Sequence, residues 1–222
     1  MARKLRMEFP GAVYHVMSRG DHQEAIYRDD EDRSLFLDTF GEACMKTGWR
    51  IHAFVLMGNH YHLLLETPEP NLSAGMKWLQ GTYTQRFNSR HKVYGHLFQG
   101  RYKALNVDDD DHYFESVSTY IHLNPVRAEL VSAKPGALAG FRWSSFPEYL
   151  KPLRKRPPWL EVARVLGSLG IGRDDARGRK GYRAWMDGRA LECSNQAPDE
   201  LEREWRRIRR GWYLGDDAFK TR

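Results

Sequence analysis

The sequence predicts an α+β sandwich, in which helices pack against an antiparallel sheet. Segments with alternating or helical hydrophobic periodicity follow one another in the order βαββα-β-α. The turn signal Gly58-Asn59 joins the middle two strands into a hairpin. The chain has 222 residues, of which 41% are hydrophobic, and this is enough for one ordinary domain and an appendage.

The elements follow in order from these periodicities. They are a strand at 12–19, a helix at 30–47, a hairpin at 50–66, a helix at 73–88, a strand at 101–107 and a helix that begins at the acidic run 108–111. Acidic residues at a helix start complement the helix dipole and cap free N–H groups, so this run is interpreted as a solvated helix terminus. The residue before a proline is pushed out of the α region, so the last helix is predicted to end near Asn124, which precedes Pro125.

The second strand of the hairpin begins with His60-Tyr61-His62, inside the run FVLMGNHYHLLLE. Successive side chains on a strand alternate between its faces, so His60 and His62 project from one side and Tyr61 from the other. A divalent ion can bridge two imidazoles placed in this way. Two packed or hydrogen-bonded imidazoles would give the same pattern, so a metal site needs a third ligand and a chemical partner.

Tyr120 and Asn124 are the candidates for these two roles, because they are four residues apart on the last predicted helix. That spacing puts a phenol and a side-chain amide oxygen on one helix face, about 6 Å apart along the axis. The partial negative charge of a helix C-terminus also suits a cation. Taken singly, Tyr120 fits a core position and Asn124 a helix cap. Tyr113, two turns earlier, is the reserve candidate for a nucleophile.

Five segments carry a resemblance to a known family. They are FPGAVYHVMSRG at 9–20, FVLMGNHYHLLLE at 54–66, LFQGRYKA at 97–104, YIHLNPVRAELV at 120–131 and WSSFPEYL at 143–150. In this order they resemble the REP-associated tyrosine transposases, a branch of the single-tyrosine HUH transposases, over roughly residues 5–150. One departure is Gly58, where the family commonly has proline; the change should alter the stiffness of the turn more than the chemistry.

The resemblance implies a ferredoxin-like antiparallel sheet with helices on one face and the histidines on a central strand. It makes His60 and His62 the metal ligands of the HUH motif, Tyr120 the nucleophile and Asn124 the third protein ligand. It also implies a 5′-phosphotyrosyl intermediate on single-stranded DNA, a reaction that needs neither ATP nor a nucleotide cofactor. Two imidazoles and an amide oxygen, with no sulfur, fit Mg²⁺ or Mn²⁺.

Composition argues against several other classes of protein. No apolar run approaches the roughly 20 residues needed to cross a bilayer, and the basic start MARKLRMEFPGA lacks the apolar segment of a secretory signal. Cys44 and Cys193 are the only cysteines and lie outside any C-x-x-C pattern, so neither a disulfide framework nor a thiolate zinc site is indicated. We therefore expect a cytoplasmic protein with no membrane partner, acting as a monomer or homodimer.

The basic excess is concentrated towards the C-terminus. Residues 1–150 carry 17 Lys/Arg against 18 Asp/Glu, whereas residues 151–222 carry 18 against 11. We therefore predict a nuclease domain at 1–150 and a small, α-helical, basic DNA-binding appendage at 151–222, which begins with the linker KPLRKRPP at 151–158. Its candidate DNA contacts are Arg154, Lys155, Arg156, Arg206, Arg207, Arg209 and Arg210. Basic residues beside tryptophans suit phosphates and exposed bases, and this is the favoured interpretation; the alternative is a solvated helix face, on which neighbouring glutamates pair with the arginines.

Within the nuclease domain the candidate DNA contacts are Arg19, Gln99, Arg101 and Lys103. Alternation along the predicted strand puts the last three on one face. Three further histidines, His15, His52 and His122, lie in or near the motifs and are predicted to orient or to pack rather than to bind metal.

The sequence therefore predicts a metal-dependent DNA-strand transferase that binds hairpin-forming, repetitive extragenic palindromes, nicks single-stranded DNA beside them and rejoins the ends. The alternative from a different class is a domesticated hairpin-binding protein that performs no physiological strand transfer. A replication or conjugation nickase would use the same chemistry, but no second tyrosine lies four residues from Tyr120.

Overall fold

The computed structural model describes residues 7–108, 110–196 and 213–214. Its strands are β1 Ala12–Arg19, β2 Arg50–Leu56, β3 His60–Thr67, β4 Lys103–Val107 and β5 Tyr213–Leu214. They form one sheet in the order β2-β3-β1-β4-β5. The first four strands are antiparallel to their neighbours, and the short β5 runs parallel to β4. The histidines of β3 therefore lie on an interior strand, as predicted.

Six α-helices accompany the sheet in the described residues. They are α1 Asp30–Thr47, α2 Leu72–His91, α3 Asp111–Arg127, α4 Phe146–Tyr149, α5 Ala163–Ser168 and α6 Ala176–Asn195. Both of the first two predicted helices are confirmed, α2 with slightly wider bounds. None of the described helices is long and apolar enough to span a membrane.

The helices lie on both faces of the sheet, which corrects the expectation that they lie on one. On the first face, the ring centroid of Phe36 in α1 lies 5.0 Å from that of Tyr61 and 5.1 Å from that of Tyr83 in α2. On the second face, the ring of Tyr120 in α3 lies 5.3 Å from that of His62. Strand β3 is buried at six of its eight positions, and a strand that is apolar on both faces needs cover on both.

Helix α3 continues through Pro125 to Arg127, so the prediction that it ends near Asn124 is wrong. The side-chain amide of Asn124 donates to the carbonyl of Tyr120 at 2.9 Å. Beyond the proline, the N–H of Ala128 donates to the carbonyl of Asn124, also at 2.9 Å. Every residue from Val117 to Val126 is buried. Packing on several sides of the helix therefore outweighs the local effect of the proline. The predicted acidic start is confirmed, because the carboxylate of Asp110 accepts from the N–H of His112.

The described part of the predicted appendage, residues 151–196, packs on the part of the chain before residue 151 and shares its hydrophobic core. Leu166 of α5 and Tyr182 and Met186 of α6 are buried in the same cluster as the sheet residues. The N–H of Ile51 in β2 also donates to the carbonyl of Trp159 at 3.0 Å. Residues 151–158 therefore do not form an open linker.

Arg156 shows most directly why the linker prediction failed. Its side chain is only 1% exposed, and its guanidinium bonds to both carboxylate oxygens of Asp174 at 2.6 and 2.8 Å. It also donates to the carbonyls of Glu148, Tyr149 and Lys151. The sequence pattern marked it as a DNA contact, but the structure gives it a structural role, because every one of these bonds would have to break before it reached a phosphate.

Candidate catalytic cleft

The register of the sheet brings the predicted functional side chains to one face. Arg19 lies opposite His60, and Met17 lies opposite both His62 and Lys103. Because residues two apart on a strand share a face, all five side chains belong to the face covered by α3. Tyr61 faces the other way, where its hydroxyl accepts from the side-chain amide of a glutamine on α2 at 2.9 Å.

A cleft of about 570 Å³ opens on this face between the sheet and α3. It is lined by Met17, Ser18, Arg19, Gln23, Asn59, His60, Tyr61, His62, Gln99, Arg101, Lys103, Tyr120, Asn124 and Arg127. Eight of these were predicted as site residues from the sequence, and their individual roles stay predictions. Four of the lining residues are cationic and none is acidic, so the cleft is electrostatically suited to phosphate.

Tyr120 lines the cleft from α3 and is 2% exposed. Its ring is edge-on to that of His62, with an interplanar angle of 82°. The guanidinium carbon of Arg127 lies 5.2 Å from the Tyr120 ring centroid. Tyr113 does not line the cleft, which argues against the reserve nucleophile.

Arg127 is the cationic residue of the cleft that was not predicted from the sequence. It lies seven residues, or two helical turns, after Tyr120 on the same helix face. The same spacing rule that singled out Tyr113 before Tyr120 would have found it. It was overlooked because α3 was predicted to end before it.

His60 is held in one orientation by a short chain of hydrogen bonds. The side-chain amide of Asn59 donates to the carbonyl of Gln23 at 2.9 Å, which leaves the Asn59 Oδ1 as an acceptor. The Oδ1 atom lies 2.8 Å from His60 Nδ1, so Nδ1 carries the hydrogen and Nε2 carries the lone pair. Burial, with a smaller contribution from the charge of Arg19, lowers the pKa of His60 from 6.5 to about 4. The imidazole is therefore neutral at physiological pH, which is the form that binds a metal.

His62 lies beside His60 with ring centroids 5.3 Å apart and the rings nearly perpendicular. Asn124 uses its side-chain nitrogen in the bond to the Tyr120 carbonyl, which leaves the amide oxygen to act as a ligand. Two imidazoles and an amide oxygen are a donor set that fits a small divalent cation with open coordination positions.

The loop before β4 carries two of the predicted DNA contacts. Strand β4 begins at Lys103 rather than at residue 101, and the loop before it contains Gly100 with a φ of 64°. Gln99 and Arg101 nevertheless line the cleft. The Gln99 N–H donates to the Arg19 carbonyl at 2.9 Å, and the Arg19 guanidinium donates in turn to the Gln99 side chain.

Of the predicted DNA contacts in the appendage, those that the structure describes lie outside the cleft. Arg154 and Lys155 are exposed and do not line the cleft. Arg156 is buried, as described above. Arg206, Arg207, Arg209 and Arg210 lie outside the described residues.

His52 and His122, two of the three further histidines near the motifs, have structural partners, in agreement with the prediction that they orient or pack. His52 contacts Glu66 at 3.3 Å and packs against Phe114 of α3. His122 lies 2.8 Å from the hydroxyl of Tyr182 and 2.7 Å from that of Ser145. Burial lowers the pKa of His122 to about 3.

A second group of possible ligand atoms lies outside the cleft. Asp29, Asp32 and His91 each place one such atom within 4.8 Å of the others. The guanidinium of Arg90 already bonds to both aspartates, at 2.7 to 3.0 Å. This cluster joins the start of α1 to the end of α2, and an arginine supplies its positive charge, so we assign it a structural role.

Comparisons with known proteins identify the family of the chain and a protein of similar fold. The family described as "Transposase IS200 like" matches residues 9–124. The fold is similar to that of a REP-associated tyrosine transposase bound to a REP hairpin, with a TM-score of 0.55 and 15% identity, over 68% of this chain and 86% of that one. A proposed transposase from Deinococcus radiodurans R1 aligns over 54% of this chain and 95% of that one, with 23% identity and a TM-score of 0.39. None of the curated proteins matches the chain.

Proposed function

The chain belongs to the IS200-like transposase family, and from that premise we propose that it is a metal-dependent endonuclease and strand transferase for single-stranded DNA. Its targets are hairpin-forming repetitive extragenic palindromes. The observation that carries the proposal is the cleft, in which Tyr120, two imidazoles and four cationic side chains meet without a carboxylate. A nucleophile surrounded by positive charge suits attack on a phosphodiester.

His60, His62 and Asn124 would hold the cation, which we take to be Mg²⁺ or Mn²⁺. When bound, it supplies polarisation of the phosphate and stabilises the charge that develops there. The protein contributes the orientation of its ligands. His60 presents Nε2 because Asn59 occupies its Nδ1.

Tyr120 is the proposed nucleophile. Its phenolic oxygen bonds to phosphorus as the bond to the 3′ oxygen breaks; the phenol loses its proton to solvent, and the 3′ oxygen leaves as a hydroxyl. The product is a 5′-phosphotyrosine with a separate 3′-OH. Because the ester keeps the energy of the original bond, a 3′-OH can reverse the step and rejoin or exchange strands without ATP.

A DNA hairpin is the proposed partner for two reasons. The similar REP-associated transposase is bound to a REP hairpin. Arg19, Arg101, Lys103 and Arg127 give the cleft of this chain the charge needed to hold a phosphate backbone. The alternative is a hairpin-binding protein that retains the cleft but performs no strand transfer in the cell.

Covalent capture of DNA tests the proposal. We expect the purified protein with Mn²⁺ to cleave single-stranded DNA that carries a palindromic hairpin and to remain attached to it on a denaturing gel. Tyr120→Phe should abolish the adduct while hairpin affinity survives, because only one hydroxyl is removed.

Tyr113→Phe is the matched control and should leave the adduct intact, since Tyr113 is outside the cleft. An adduct that survives Tyr120→Phe would refute the assignment. Tight hairpin binding by the wild-type protein with no cleavage under any divalent cation would favour the alternative function.

A further inference from the structure

His15 is a buried histidine that lies directly behind the proposed metal ligands. It is on β1 and is 0% exposed. Met17 lies opposite His62 in the register, so His15, two residues earlier, is a diagonal neighbour of His62 on the same face of the sheet. Unlike His60 and His62, it does not line the cleft.

The contact between His15 and His62 is specific. His15 Nε2 lies 2.9 Å from His62 Nδ1, and the two rings are stacked with centroids 5.1 Å apart. Between two neutral imidazoles, one nitrogen must donate a hydrogen and the other must accept it with a lone pair. Because this bond occupies Nδ1 of His62, only Nε2 is positioned to bind a cation.

The requirement for a lone pair decides the direction of the bond. A neutral His62 that binds a cation through Nε2 carries its hydrogen on Nδ1, so His15 Nε2 is the acceptor. His60 is held by Asn59 in the same way, through Nδ1. The two histidines of β3 therefore donate Nδ1–H to similar acceptors. His60 donates to an amide oxygen, and His62 donates to an imidazole nitrogen.

We propose that His15 is a positioning residue that accepts the Nδ1–H of His62, fixes its tautomer and ring orientation, and so presents Nε2 to the cation. The part that concerns the cation rests on the function proposed above, whereas the part that concerns the tautomer does not. Supporting residues of this kind typically change metal affinity by about 10- to 100-fold when they are replaced.

His15→Phe and His15→Gln separate this role from simple packing. Phenylalanine fills a similar volume but has no acceptor, whereas the glutamine amide oxygen can reach roughly the position of Nε2 and accept. We expect His15→Phe to weaken Mn²⁺ binding about 10-fold or more in calorimetry, and His15→Gln to restore most of that loss. His52→Phe is the matched control, because His52 is equally buried on the same sheet but supports no proposed ligand.

A second measurement needs no metal. In metal-free wild-type protein labelled with ¹⁵N-histidine, we expect the His62 resonances to show hydrogen on Nδ1 and a lone pair on Nε2. His15→Phe should shift His62 towards the other tautomer, and His15→Gln should not.

The outcomes separate the two proposals. Undiminished Mn²⁺ affinity in His15→Phe, or hydrogen on Nε2 of His62 in the wild-type protein, would overturn the role of His15. Wild-type protein that binds no Mn²⁺, or whose affinity is unchanged by His62→Ala, would overturn the proposed metal site itself, and the tautomer measurement would still decide whether His15 orients His62.

Discussion

Arg127 approaches the aromatic ring of Tyr120 from the helix turn that the sequence did not predict. The guanidinium lies 5.2 Å from the ring centroid, and both side chains line the cleft. A cation placed beside the proposed nucleophile can stabilise developing phenolate charge and bind a non-bridging phosphate oxygen. These interactions strengthen as the reaction proceeds, so they act on the rate more than on binding.

We therefore predict that Arg127→Met slows nicking by roughly 100-fold, with a smaller change in hairpin affinity. Methionine keeps an apolar stem against Tyr120 and removes the charge, whereas Arg127→Lys keeps the charge and should retain part of the rate. The measurement is single-turnover cleavage of hairpin DNA, with affinity determined separately.

Arg142→Met is the matched control, because Arg142 also stacks on an aromatic ring, that of Trp143 at 4.3 Å, but outside the cleft. It should cleave at the wild-type rate. If Arg127→Met also did so, Arg127 would have only a packing role.

At the scale of single residues, the sequence predicted most of the functional side chains of the cleft. It did not predict the hydrogen bonds that orient the proposed metal ligands. His60, His62, Tyr120 and Asn124 follow from spacing and from the resemblance. The hydrogen bonds of Asn59 to His60 and of His15 to His62 join residues through a turn and across a strand pair. The second contact depends on the register between β1 and β3, and these strands are not joined by a hairpin, so no single turn fixes it.

Among the elements, α3 connects the proposed nucleophile to the C-terminal helices. His122 on α3 bonds to Tyr182 of α6 and to Ser145 of the WSSFPEYL segment. The hydroxyl of Ser145 also accepts from the N–H of Phe54 in β2 at 2.8 Å. The helix that carries Tyr120 is thus fixed to β2 and to α6 by one buried polar network. Such a network rigidifies its surroundings when all its members are satisfied.

Two local signals gave wrong predictions at this scale, for the same reason. The proline in α3 indicated a helix end, and the basic, proline-containing segment at 151–158 indicated an exposed linker. Both rules describe a segment in isolation. In the structure, Pro125 is buried against neighbouring elements, and Arg156 has a carboxylate partner 18 residues away, so tertiary contacts decide both cases.

The Arg156–Asp174 pair leads to a prediction about stability. Asp174→Ala would leave the guanidinium of Arg156 buried without its counter-charge, and we expect a loss of about 3 kcal/mol in the free energy of unfolding. Lys151→Ala, which breaks the exposed pair between Lys151 and Glu148, should cost less than about 1 kcal/mol. Urea denaturation of both variants is the measurement.

The effect should also depend on pH. Burial raises the pKa of Asp174, but its bonds to Arg156 and Arg179 outweigh this, so the pKa lies below its usual value. A depressed pKa means that the stabilisation is present above the unfolded-state pKa and is lost as the pH falls through the folded-state value. The gap between wild type and Asp174→Ala should therefore close in acid. A gap that is small at neutral pH, or that widens in acid, would contradict this account of the pair.

At the scale of the whole molecule, the described residues form one packed body, although the basic excess of the sequence lies in residues 151–222. Val165, Leu166, Tyr182 and Met186 all belong to the core that contains the sheet. Truncation after Leu150 would remove them and expose their partners on α3, so we expect a truncated chain to fold poorly. DNA capture by the basic C-terminal part is therefore better tested by changing charge in the full-length chain.

We predict that neutralising this part flattens the salt dependence of hairpin affinity. Each phosphate contact that is lost should reduce the slope of log affinity against log salt by about 0.7 to 0.9. One variant combines Arg154→Gln with Lys155→Gln, and a second replaces Arg206, Arg207, Arg209 and Arg210 by glutamine. Lys46→Gln with Lys77→Gln is a control for the first variant that has the same net charge, because both lysines are exposed on α1 and α2, across the sheet from the cleft.

If the C-terminal part holds the hairpin, its variants should lose hairpin affinity and have a flatter salt slope, while the control keeps both. Cleavage at saturating DNA should remain near the wild-type rate, because the cleft is intact. Equal slopes in all variants would assign hairpin recognition to the cleft and its surroundings, and would leave the C-terminal residues with a supporting role in the core.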